Sequence, residues 1–77
     1  MRVIDTIPHE SMSITIMQMN NKFQVRFEAG PMEQIFKFST EEVGNLEGLK
    51  KRLSPDFILA TRQRFNQMFL QWKSSLD

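Results

Sequence analysis

The chain contains no cysteine, which removes disulfides and every zinc or iron–sulfur site built on thiolates. Its one histidine, His9, leaves any metal to carboxylates alone, so neither a metal nor a cofactor is expected. No stretch approaches the roughly 20 apolar residues of a membrane span. The start, Met1 to Asp5, lacks the apolar run of about 7–15 residues found in a secretory signal. These absences point to a cytoplasmic protein without a membrane partner. Gly30, Gly44 and Gly48 are spaced as neither a phosphate loop nor a dinucleotide fingerprint.

Catalytic groups are equally scarce. His9, Glu10, Ser11 and Ser13 are the only base, carboxylate and hydroxyls that cluster, but they are sequence neighbours beside a terminus. A triad instead needs groups that converge from a rigid scaffold. Position 13 is Ser, so the two-histidine zinc helix motif is absent as well. Glu41 and Glu42 stand near a helix start, where they complement its dipole. The sequence therefore argues against an enzyme.

What the chain does have is a long terminal helix. Ser54 is placed to cap it, Pro55 brings a preset φ, and Asp56 sets negative charge at the positive end of the dipole. Ile58, Thr61, Phe65, Met68, Phe69, Trp72 and Leu76 then recur mostly at steps of three or four and form one stripe. That stripe must be covered by residues 1–53.

Those residues supply strands. Met12, Ile14 and Ile16 alternate with polar neighbours, as do Phe23, Val25, Phe27 and Ala29 beyond Asn20-Asn21. A two-residue turn at Asn20-Asn21 sets Ile16 opposite Val25 and Ile14 opposite Phe27, with Met12 opposite Ala29. A second turn at Gly30-Pro31 sets Val25 opposite Phe36 and Phe23 opposite Phe38, at the expense of placing Phe27 against Gln34 and Glu28 against Glu33. Ser39 and Glu42 have capping-box spacing, and Val43, Leu46, Leu49 and Leu53 follow at helical steps, with a break expected near Gly44 and a restart at Asn45. The expected fold is one α+β domain over 1–77: a three-stranded antiparallel meander followed by a short and a long C-terminal helix packed on one sheet face. In residues 1–11, Val3, Ile4 and Ile7 ahead of Pro8 are enough to dock as an arm or a short edge strand, and a loose N-terminal arm is the alternative.

A domain of 77 residues with 40% hydrophobic content buries roughly 60% of its unfolded surface and is only modestly stable. With disulfides and metals removed, self-association is the remaining way to stabilise it. The charge is divided: residues 1–49 carry −3 and residues 50–77 carry +4. This division suits either a contact between copies or an anionic partner.

Two sets of residues are left over once the core is built. Met17, Met19 and Ile35 fall on or near the other sheet face, while Leu59 and Leu70 fall off the helix stripe. They are the candidate protein interface, since flexible methionines suit adaptable surfaces. Lys50, Lys51, Arg52 and Arg62 are the candidate nucleic-acid contacts. The functional expectation is a small non-catalytic interaction module that pairs as a homodimer or with a small protein, with accessory nucleic-acid binding as the alternative.

Overall fold

The computed structural model describes residues 1–77 as an antiparallel sheet followed by helices. The strands are β1 (Arg2–Ile7), β2 (Ser13–Met19), β3 (Lys22–Ala29) and β4 (Met32–Ser39), and they lie in the order β1-β2-β3-β4. The helices are α1 (Thr40–Val43), α2 (Leu46–Arg52) and α3 (Pro55–Ser75). The α+β meander with its helices on one face is as the sequence implies, with one strand more. Of the alternatives for the N-terminal residues, 2–7 take the edge strand, paired with β2, and not the loose arm.

The two central hairpins adopt the anticipated register. Ile16 is opposite Val25, Ile14 opposite Phe27, Val25 opposite Phe36, and Phe23 opposite Phe38. Both turns place positive φ on their first residue, Asn20 at 55° and Gly30 at 57°, which suits the right-handed twist of the flanking strands. Parity then sends Ile14, Ile16, Phe23, Val25 and Phe27 to the face beneath the helices, where all are buried.

β1 escapes a simple reading because its alternation is interrupted. Val3 pairs with Met17, but the next register partner is Asp5 with Ile16, so Ile4 is the extra residue of a bulge. The bulge reverses which residues face the helices. Ile7 joins Ile14 on the core side, while Asp5 turns toward α2 and forms an ion pair with Lys50.

The helices begin where their caps put them. The Ser39 hydroxyl accepts the Glu42 N–H while the Glu42 carboxylate accepts the Ser39 N–H at 2.8 Å, a complete capping box. The helical run does break at Gly44. Asn45 caps α2 through Gly48 N–H, and Ser54 caps α3 through Phe57 N–H. Gly48 has a steric role in this short relay, because a Cβ there would lie 1.8 Å from the Val43 carbonyl oxygen. Only glycine lets α2 start so close to the end of α1.

α3 is seated by aromatic packing. Phe57 lies 4.8 Å from Phe36 and 6.2 Å from Phe27 (ring centroids), and Phe27 meets Phe36 edge to face at 5.9 Å. Phe57 is absent from the stripe read in the sequence, yet it supplies the helix's first core contact. Gln34 explains the awkward pair it makes with Phe27. Its amide donates to the Thr61 carbonyl at 2.9 Å and accepts from Arg64 at 2.9 Å, so a polar residue on the core face fastens α3 to β4. Thr61 is itself buried, with its hydroxyl donating to the Phe57 carbonyl.

Gly48→Ala should lower stability by about 1–3 kcal/mol, the range for an added group with no room. Urea denaturation followed by far-ultraviolet circular dichroism measures it. Gly48→Ala with the stability of the parent chain would show that α1 and α2 are not so closely joined.

Candidate interaction surface

The covered part of α3 ends early. Thr61 and Phe65 are buried, and Phe57, Ile58 and Met68 pack partly against the core, but no residue beyond Met68 does so. At a rise of about 1.5 Å per residue, a helix of this length spans roughly 31 Å. It leaves the sheet near the Gly30-Pro31 turn, and the molecule is 45 Å long but only 24 Å by 20 Å across. This corrects the stripe as read from the sequence, since Phe69 and Trp72 are each 42% exposed and Leu76 is more so. Helical period alone does not reveal where the covering sheet stops.

The two exposed rings pack on one another, with centroids 5.8 Å apart. A shallow cleft of about 360 Å³ opens at the base of the projecting segment. Phe65 and Phe69 form its helix side, and Met12, Pro31 and Met32 its strand side. Leu70, expected off the stripe, is strongly exposed beside this ridge, and Leu59 is exposed farther back, next to His9. Phe69, Leu70, Trp72 and Leu76 together form the largest uncovered apolar run on the helix. Of the five residues chosen as an interface from the sequence, only Leu70 belongs to it.

The outer sheet face is less apolar than expected. Met17 lies on that face but is buried, and so is not available for contact. It pairs with Val3, because the bulge in β1 places Val3 over the outer face. Met19 is exposed next to the Asn20 turn, and Ile35 is exposed in the middle of β4. Between them stand Gln24, Lys37 and the pair Arg26 and Glu28, whose Nε and Oε1 are 3.0 Å apart, although Nε makes no hydrogen bond of good geometry.

The basic candidates do not form a common patch. Lys50 is held by Asp5, and an Arg52 guanidinium nitrogen donates to the Glu42 carbonyl at 3.3 Å. Lys51 is exposed on α2, whereas Arg62 lies on α3 beside the cleft. Phosphate contacts need several cations gathered on one surface. His9 is also engaged locally: its Nδ1 lies 3.1 Å from the Ser11 N–H, which donates to it, and 3.2 Å from the Ser11 hydroxyl. No group of three or more His, Asp or Glu side chains converges as a metal site.

Two carboxylates titrate below their ordinary range. The hydrogen bond from Lys50, with a second from the Thr6 N–H, favours the ionised form of Asp5. The Ser39 N–H does the same for Glu42, followed by the Ser39 hydroxyl. Each contributes stability in full above the unfolded-state value near about 4, and loses it as pH falls through the lower folded value.

Comparison of the chain with protein-family models, curated proteins and solved structures finds no match to any of them. No helix is long and apolar enough to cross a membrane.

Thermal midpoints should therefore decline on acidification through the carboxylate range, and the slope should shrink in an Asp5→Asn, Glu42→Gln double variant. An unchanged slope would show that these caps do not link folding to protonation. Separately, Trp72 is the only tryptophan. Dilute protein should show red-shifted emission readily quenched by acrylamide, whereas blue-shifted, protected emission would contradict the exposed ridge.

Proposed function

We propose that this chain is a small, non-catalytic protein-interaction module that acts by self-association, with the projecting turns of α3 as its contact surface. The observation that carries this reading is the ridge of Phe69, Trp72 and Leu76, with Leu70 exposed on its flank, which extends beyond any part of its own fold able to cover it. A fully covered aromatic side chain buries about 150–250 Å², so a ring left 42% exposed keeps on the order of 60–100 Å² in water, about 2 kcal/mol at the usual area coefficient. Covering two such rings and the leucines is a substantial driving force for association.

The composition of the ridge favours a protein partner. From Phe65 to Leu76 the only charged residue is Lys73, and the polar positions are Asn66, Gln67, Gln71, Ser74 and Ser75. An aromatic-rich helix end with a single cation can approach a copy of itself with little charge repulsion, and offers little to a polyanion. The intramolecular engagement of Lys50 and Arg52 further weakens the nucleic-acid alternative. The thin core adds support: only 12 of 77 residues are buried, the situation in which a small domain gains most from a second copy.

Sedimentation across micromolar to millimolar concentrations should show a monomer–dimer equilibrium. Trp72→Ala should weaken it by about 2 kcal/mol, roughly 30-fold, as truncation of a central aromatic does. Because Trp72 lies outside the core, the melting of dilute protein should be unaffected. A strict monomer at the highest concentration, or a mobility shift with nucleic acid that survives moderate salt, would overturn the proposal.

A further inference from the structure

We infer that β4 pairs with β4 of a second copy, antiparallel about Ile35, so that two four-stranded sheets join edge to edge into one. This rests on the self-association reading and specifies the contact that sets its register.

β4 is an edge strand with its hydrogen-bonding side free. Its parity is fixed by Thr40, whose N–H donates to the Asn21 carbonyl at 2.9 Å. Stepping by two along the β3–β4 register makes Phe23–Phe38, Val25–Phe36, Phe27–Gln34 and Ala29–Met32 the hydrogen-bonded pairs. The N–H and C=O groups of Glu33, Ile35 and Lys37 therefore point away from β3, toward the open edge. Their side chains are exposed on the outer face.

Natural edges are guarded by bulges, proline and inward-turned charges. β1, the opposite edge, has the bulge after Val3 and Asp5 turned in toward Lys50. β4 has neither, and its outward charges, Glu33 and Lys37, are of opposite sign. It pairs with β3 without a bulge along its whole length and contains no proline.

Charge selects both the occupant and the register. In an antiparallel pair centred on Ile35, Glu33 faces the second copy's Lys37, Lys37 faces its Glu33, and isoleucine meets isoleucine. A two-fold at Glu33 or at Lys37 sets like charges face to face, and a two-fold at Gln34 or Phe36 sets Ile35 against a charge. Only the register centred on Ile35 matches every exposed side chain of the strand. Neither Glu33 nor Lys37 belongs to an ion pair within its own chain, and Glu33 lies opposite Glu28, a repulsion that a facing lysine relieves.

The same two-fold places the ridge. It keeps the helices of both copies on one face of the joined sheet and sets the Gly30-Pro31 turn of one copy level with Thr40 of the other. α3 leaves its own sheet past that turn. Its distal turns therefore project past the level of the second copy's Thr40, on the helix face that the two copies share.

Charge reversal tests this register. Glu33→Lys and Lys37→Glu should each weaken self-association at least tenfold by sedimentation equilibrium. An equimolar mixture of the two variants should recover it as a heterodimer, and the double reversal in one chain should recover it as a homodimer. Ile35→Pro, which removes an outward N–H and no internal hydrogen bond, should abolish dimer formation while retaining the circular dichroism of the fold. In the parent chain, amide exchange at Glu33, Ile35 and Lys37 should slow as concentration rises. A dimer that is weakened by Trp72→Ala but indifferent to both charge reversals and to Ile35→Pro would overturn the edge pairing and leave the self-association reading intact. A parent chain that is monomeric throughout would overturn both.

Discussion

The seating of α3 against β3 and β4 is the constraint on which the remaining structure depends. Phe57 enters the angle between Phe27 and Phe36, and the Gln34 amide bonds to the Thr61 carbonyl one turn later. Each aromatic contact is worth about 0.5–1.5 kcal/mol beyond the area it buries. Gln34 adds direction, because a hydrogen bond to a helix carbonyl fixes rotation about the helix axis in a way that apolar contact does not. Anchored at these points, the helix has only one course, across the core face and off the sheet beside the β3–β4 turn.

That course leaves the molecule with a consequence of its size. Its main core joins Ile14, Ile16, Phe23, Val25 and Phe27 to Val43, Leu49, Leu53 and Phe65, one layer of strands under one layer of helices. Such a sheet covers about two thirds of a helix as long as α3, up to Met68. The remaining turns keep an amphipathic pattern without a surface to meet it, and the strand nearest the helix keeps an unguarded edge.

Much of this was legible in the residues. The alternation of β2 and β3, the two short turns and the three capping serines and asparagines are local signals, and the register pairs they implied between β2, β3 and β4 are present except Met12 with Ala29, since β2 begins only at Ser13. The capping box at Ser39 and the break at Gly44 followed from spacing alone. Phe57 is not legible as a core residue because it lies in the first turn, before the repeat is established. β1 is legible only as one of two alternatives, because its bulge disrupts the two-residue period by which strands are recognised. Met17 reads as a contact residue unless the N-terminal residues cover its face, and it is the pairing of β1, with Val3 opposite Met17, that buries it.

Local chemistry thus determined the elements, their caps and the central registers, since each depends on residues within a few positions or directly across a short turn. The tertiary structure alone decided how far the helix stripe is buried, because burial ends where the sheet ends and the period of the helix continues regardless. It also decided which cations remain free, since Lys50 and Arg52 find partners on elements distant in sequence. The candidate surface belongs to this second category: exposure depends on what the rest of the chain is wide enough to cover.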